Sequence, residues 1–167
     1  MIHIYTGTGK GKTTAALGLA LRAAGAGLKV YFCQFLKKGK YSELAGLKRL
    51  KGVTVRQFGT GSFIRKKPDS RETNAARKGL ACAKEALRSG KFDVIILDEF
   101  NVALSLGVID CSDALSFLSG VPDEIELVLT GRGANETLLK CADLVSEVKE
   151  VKHYYRKGIK ARKGIEF

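Results

Sequence analysis

The segment Thr6-Gly7-Thr8-Gly9-Lys10-Gly11-Lys12-Thr13-Thr14 combines glycines, lysines and hydroxyls in an order suited to one task, holding a phosphate chain. Successive backbone N–H groups in such a turn form an anion nest, and a helix opening directly after it adds its positive end. Glycines let the chain approach phosphate closely. Lys12 would then reach between phosphates, and the Thr13 hydroxyl would ligate Mg²⁺. This is a P-loop with one departure from G-x-x-x-x-G-K-[ST]: Thr6 stands where the first glycine belongs. A Gly-Lys-Thr tripeptide arises by chance often enough to mean little alone. Its place between a first strand and a first helix is what gives it weight.

A second group of candidates lies at Val94-Ile95-Ile96-Leu97-Asp98-Glu99, an acidic pair closing an apolar run. In a parallel sheet the ligand crevice lies at the carboxyl ends of the strands, and a carboxylate there can hold Mg²⁺ directly or through water. Asp98 and Glu99 project to opposite sides of the strand, so one of them would meet the metal, and spacing does not choose between them. Arg132, in Thr130-Gly131-Arg132-Gly133, ends another apolar run and could clamp a phosphate chain. Asn101 and His153 are weaker candidates, since each residue type more often serves as a structural hydrogen bonder.

These residues need a frame, and the hydrophobic pattern supplies one. Strand-like runs occur at Ile2 to Tyr5, Val30 to Phe35, Val53 to Phe58, Val94 to Leu97 and Ile125 to Thr130, with a charged edge strand over Leu144 to Val151. Helical patterns fall at Thr13 to Ala24, Ser42 to Leu50, Ser70 to Arg88 and Glu136 to Cys141. Their alternation predicts an α/β fold: a doubly wound, mostly parallel sheet of about six strands with helices on both faces, of the P-loop NTPase or RecA-like kind. Residues 1–167 form a single nucleotide-binding domain on this reading, with a basic tail over 152–167. Two irregular stretches, Gly59 to Asp69 and Lys152 to Lys163, are long enough to suggest a function.

The chain has 167 residues, with 29 Lys+Arg against 17 Asp+Glu and a formal charge of +12. Its 45% hydrophobic and 28% charged content excludes a disordered or collagen-like polymer. The positive excess calls for anionic partners: nucleotides, nucleic acid or an acidic membrane. No run approaches the ~18 uncharged apolar residues of a membrane span. Met1-Ile2-His3-Ile4-Tyr5 lacks the pattern of a signal peptide. Cys33, Cys82, Cys111 and Cys141 are dispersed, without a CxxC pair, which fits reduced thiols in a cytoplasmic protein rather than a zinc site.

Taken together, the motifs resemble one family. Gly7-Thr8-Gly9-Lys10-Gly11-Lys12-Thr13-Thr14-Ala15-Ala16 looks like the atypical P-loop of the ATP:corrinoid adenosyltransferases. Gln34-Phe35-Leu36-Lys37-Lys38-Gly39, Leu97-Asp98-Glu99, Leu129 to Gly133 and Ala142 to Glu147 are similar to its later strand ends. The end of the chain, Val151-Lys152-His153 and Gly158 to Phe167, resembles its C-terminal signature. The resemblance runs in order over nearly the whole chain. It implies transfer of the 5′-deoxyadenosyl group of ATP to the cobalt of a reduced corrinoid, with release of intact triphosphate. Lys12, Lys10 and the loop N–H groups of Gly7, Thr8, Gly9, Gly11, Thr13 and Thr14 would hold that triphosphate, with Arg132 beside them. Thr13 with Asp98 or Glu99 would place Mg²⁺ and Lys12 would stabilise charge on the leaving triphosphate, which makes Lys12 and Glu99 the catalytic candidates. It further implies a homodimer and a flavoprotein reductase that supplies Co(I).

Three departures separate this chain from the family pattern. Thr8 stands where members commonly carry Asn. Gly59 to Arg65 replaces a Phe-x-Trp segment that members place against the corrin; the chain has no Trp, and Phe63 is the remaining counterpart. Members also carry an N-terminal extension, whereas the first strand here begins at residue 2. Two other readings compete: a P-loop ATPase stimulated by nucleic acid, with Glu99 polarising water, and a non-catalytic ATP-binding partner. Scattered basic residues and the lack of an interleaved aromatic platform weigh against nucleic acid.

Overall fold

The computed structural model describes residues 1–61 and 68–167. Phe63, the candidate corrin contact, lies outside the described residues.

Six strands form one wholly parallel sheet: β1 (Ile2–Thr6), β2 (Val30–Phe35), β3 (Val53–Phe58), β4 (Val94–Asp98), β5 (Glu126–Thr130) and β6 (Leu144–Glu147). Their order across the sheet is β3-β2-β4-β5-β1-β6. The helices are α1 (Lys12–Gly25), α2 (Ser42–Leu47), α3 (Ser70–Arg88), α4 (Phe100–Ser105), α5 (Cys111–Leu118) and α6 (Glu136–Leu139). A 3₁₀ turn follows over Tyr154–Lys157.

Strand periodicity sorts the core into two layers. Val30 and Phe32 of β2, Ile96 of β4 and Val128 of β5 pack under Ala16, Ala20 and Ala23 of α1 and Leu44 and Leu47 of α2. The alternate residues Cys33, Phe35, Ile95, Leu97, Leu127 and Leu129 face Ala76, Leu80 and Ala83 of α3 together with Phe100 and Phe117. A strand buried on both faces is apolar along most of its length, and β2 and β4, buried throughout, are apolar except for Gln34 and Asp98 near their carboxyl ends. α1 meets its face through alanines, so its backbone lies close to the sheet and brings the P-loop down onto the strand ends.

The strands fall where the hydrophobic runs place them, and the short helices differ. α4 and α5 fill a stretch to which the pattern assigned no element. α4 has only six residues and opens on Glu99 without a side-chain cap. α5 carries a signal, Asp110, whose carboxylate accepts from the Ser112 N–H at 2.9 Å. β6 stops at Glu147, short of the expected Val151, because Val148 turns over the P-loop: its N–H donates to Thr6 O at 2.8 Å. α3 starts as a capping box, with Asp69 accepting from Arg71 and Glu72 N–H while the Glu72 carboxylate accepts from Asp69 N–H.

Candidate active site at the carboxyl ends of the strands

β1 ends at Thr6 and α1 begins at Lys12, so the intervening turn is fixed at both ends. Gly11 gives α1 no side-chain cap, which leaves the positive end of the helix facing the loop. Lys12 folds back into that loop, where its Nζ donates to Gly7 O at 2.8 Å and to Gly9 O at 2.7 Å. Burial lowers its pKa, and the charge of Arg132 lowers it further. Arg132 is itself exposed at the end of β5, near enough for its field to reach Lys12. Thr8 of the turn and Thr14 of the first turn of α1 are exposed.

Asp98 is the hub of the site. Its Oδ1 accepts from the Thr13 hydroxyl at 2.8 Å and the Thr130 hydroxyl at 2.7 Å. Its Oδ2 accepts from Gln34 Nε2 at 3.1 Å and from Lys37 Nζ at 2.9 Å. The side chain is fully buried, and buried charge of this kind is tolerated where donors and a counter-charge surround it. Lys37 also lies 3.6 Å from Glu99 Oε1. Burial alone would lower the Lys37 pKa, but the two carboxylates outweigh it and the net shift is upward. Glu99 shifts upward too, because burial outweighs the attraction of Lys37.

Among the described residues, two non-glycines adopt left-handed backbone conformations, Leu36 and Glu99, each with φ of 60°. They flank this cluster. Such conformations cost of the order of 1–3 kcal/mol each and persist where the surroundings impose them. The Leu36 N–H is held by Phe58 O at 2.9 Å, and the turn there swings Lys37 back over the end of β4. At Glu99 the N–H is held by the Thr130 hydroxyl at 3.1 Å, and the chain passes at once from β4 into α4.

The structure therefore brings together Gly7, Gly9, Gly11, Lys12, Thr13, Asp98, Glu99 and Arg132. It turns Lys10 elsewhere: Lys10 Nζ binds the Tyr154 hydroxyl and Glu166 Oε1, both at 3.0 Å. His153 accepts from the Tyr155 N–H at 3.1 Å and caps the 3₁₀ turn. Asn101 is buried and donates to Gly131 O at 3.1 Å, joining α4 to the end of β5.

Gln34, Lys37 and Thr130 are site residues that motif spacing did not single out. Gln34 carried a signal, being the one amide in an otherwise apolar strand. Lys37 carried only its place in the Gln34 to Gly39 segment of the family resemblance, because its contact with Asp98 depends on the Leu36 turn. Two of the three loop glycines also have a second reason to be glycine. A Cβ on Gly7 would stand 2.4 Å from Val148 O, and one on Gly9 would stand 2.8 Å from the Lys149 carbonyl. Part of the loop's glycine content thus serves protein packing.

A parallel sheet, a glycine-rich turn between its first strand and α1, and a Thr13–Asp98 contact across the strand ends define the P-loop class of fold. Comparison with known proteins narrows the class. The family model for ATP:corrinoid adenosyltransferase BtuR/CobO/CobP matches residues 1–167, and the chain belongs to this family of ATP-dependent transferases. The corrinoid adenosyltransferase of Escherichia coli (strain K12) is 34% identical over 167 residues, covering 100% of this chain and 85% of that protein. That of Pseudomonas aeruginosa is 34% identical over 169 residues, covering 100% and 83%. A Sinorhizobium corrinoid adenosyltransferase is 36% identical over 171 residues, covering 100% and 80%.

Proposed function

We propose that the chain transfers the 5′-deoxyadenosyl group of ATP to the Co(I) centre of a reduced corrinoid, releasing triphosphate, in adenosylcobalamin synthesis or salvage. The observation that carries this reading is the Thr13–Asp98 hydrogen bond beside an inward-turned Lys12, within a chain matched over its full length to the family. In the reaction the cobalt electron pair forms the Co–C bond to the ribose C5′. The C5′–O bond breaks, and its electron pair leaves on the triphosphate. Since the substrate brings its own nucleophile, the protein has to orient C5′ and stabilise charge on the leaving group.

The roles divide accordingly. Lys12, the N–H groups at the start of α1 and Arg132 hold the triphosphate. Lys12 is held within reach by two loop carbonyls that a phosphate oxygen can replace. Thr13 with Asp98 or Glu99 would hold Mg²⁺, which neutralises charge on the phosphates when bound. One hydroxyl and two carboxylates, with no cage of three or more His, Cys, Asp or Glu among the described residues, suit a hard cation that keeps water and phosphate as its other ligands. Phe63 is the proposed apolar contact to the corrin.

The chain functions as one domain over 1–167, in the cytoplasm, supplied with Co(I) by a flavoprotein reductase. No described helix is long and apolar enough to cross a membrane. A homodimer is supported by apolar side chains left exposed on β6 and the tail, with Val145 47%, Val151 96% and Ile165 55% accessible. The test is an anaerobic assay with ATP, Mg²⁺ and several chemically reduced corrinoids, scoring the cobalt–carbon product and released triphosphate. ATP binding without a cobalt–carbon product from any corrinoid would overturn the reading.

A further inference from the structure

Past β6 the chain does not leave the P-loop. The Gly9 N–H donates to Val148 O at 2.7 Å, and the Val148 N–H donates to Thr6 O, so residue 148 is stitched to both ends of the turn's first half. The contact is backbone against backbone at Gly7 and Gly9, where a Cβ would find no flexible side chain to displace. The tail then returns to the same turn from outside. Glu166 accepts from the Tyr154 hydroxyl, from Lys10 Nζ at 3.0 Å and from the Arg162 N–H at 2.6 Å. Arg162 stacks over the Tyr154 ring at 4.9 Å, and Lys10 lies 5.7 Å from the same ring. Phe167 O accepts from Ser42 Oγ at 3.1 Å, so the segment spans from the P-loop to the start of α2.

Lys10 and Lys12 are therefore used in opposite directions. Lys12 lies in the field of Asp98, Glu99 and Arg132. Lys10 is raised in pKa by the Tyr154 hydroxyl and by Glu166, and is committed to the tail. A glycine-rich turn loses more conformational freedom on ordering than any other, so whatever orders it in advance raises affinity for the ligand it enfolds.

We propose that Tyr154 and Glu166 are positioning residues of the triphosphate site: through Lys10 they hold the Gly7–Gly11 turn in its receptive shape, so tail order and triphosphate binding strengthen each other. This rests on the P-loop reading above, and adds the tail as the outer wall of that site. Linkage makes the effect reciprocal. Binding of a triphosphate must then protect the tail, and loosening the tail must weaken the triphosphate.

The test uses the full chain, with ATP and inorganic tripolyphosphate as probes in titration calorimetry. Glu166→Gln and Tyr154→Phe are each expected to weaken both probes about 5- to 20-fold. Lys10→Met should do the same, and Lys10→Met with Glu166→Gln together should be no worse than either alone. In turnover, the KM for ATP should rise while the corrinoid KM stays put. In the wild-type chain, tripolyphosphate should slow tryptic cleavage among Lys152 to Lys163. Unchanged affinity in both tail variants would overturn the proposal. So would tighter binding by Glu166→Gln, which would make Glu166 a competitor for Lys10, or an equal rise in both KM values, which would mean general loosening. A wild-type chain that binds neither probe would bring down the P-loop reading itself, and this inference with it.

Discussion

The Thr13 hydroxyl donates a 2.8 Å hydrogen bond to Asp98 Oδ1, joining the first turn of α1 to the end of β4. The same carboxylate accepts from Thr130 of β5, Gln34 of β2 and Lys37 beyond β2, so four segments of chain converge on one buried charge. Asp98→Ala would leave these donors without their acceptor and the Lys37 ammonium without its nearest counter-charge. Removing one partner of a buried pair costs about 3–5 kcal/mol. Denaturant titration should show a loss of that size for Asp98→Ala and a smaller one for Asp98→Asn, which keeps the shape. Indistinguishable midpoints for Asp98→Ala and wild type would mean that Asp98 does not organise the strand ends.

Lys37 brings its positive charge to the carboxylate pair at which Mg²⁺ is proposed to bind. Its Nζ lies 2.9 Å from Asp98 and 3.6 Å from Glu99, and it serves the free protein as a built-in counter-ion. Lys37→Met should destabilise the free chain by about 3 kcal/mol, since two poorly solvated carboxylates then lose their shared counter-charge. Added Mg²⁺ should recover part of that loss and raise the melting temperature more in the variant than in wild type. An equal Mg²⁺ response in both proteins would place the metal away from this carboxylate pair.

For Lys12 the expectation is mainly kinetic. Its side chain points into the loop, where the Gly7 and Gly9 carbonyls hold it, and its proposed partner is a phosphate oxygen. Charge accumulates on the triphosphate as the C5′–O bond breaks, so the ammonium contributes more in the transition state than in the ground state. Lys12→Ala should lower kcat by an amount equivalent to ~2–4 kcal/mol, with a lesser change in the KM for ATP. A variant with normal kcat would mean that Lys12 does not meet the leaving group.

Much of this architecture was legible because it depends on short-range pattern. The apolar runs of β2 and β4, the Gly7 to Thr14 turn and the Asp98-Glu99 strand end each signal locally, and parallel topology then forces them onto one edge. What escaped depends on geometry without periodicity. Lys37 reaches Asp98 through a left-handed Leu36 that no propensity favours. Tyr154 and Glu166 reach Lys10 across more than 140 positions of sequence, through a tail whose charge resembles an ordinary solvated surface. α4 was missed because its start coincides with the strained Glu99, where the strand pattern ends and no cap announces a helix.

The tail contact also has a pH signature of definite sign. The Tyr154 hydroxyl bond, together with Lys10 and Arg162, outweighs desolvation and holds the Glu166 carboxyl well below its ordinary range. A carboxylate depressed in the folded state binds fewer protons there than when unfolded, so it stabilises the fold above the unfolded pKa. That contribution disappears as pH falls through the folded pKa. Glu166→Gln lacks it at every pH. Wild type should therefore melt above Glu166→Gln at pH ~7, with the gap narrowing progressively below pH ~4.5, where the unfolded carboxyl begins to take up protons. Because the pair is close to solvent, the gap at neutrality should be small and should shrink in high salt. A gap that widened on acidification would mean that Glu166 is protonated in the native contact, and that its bond to Tyr154 and Lys10 is not an ionic one.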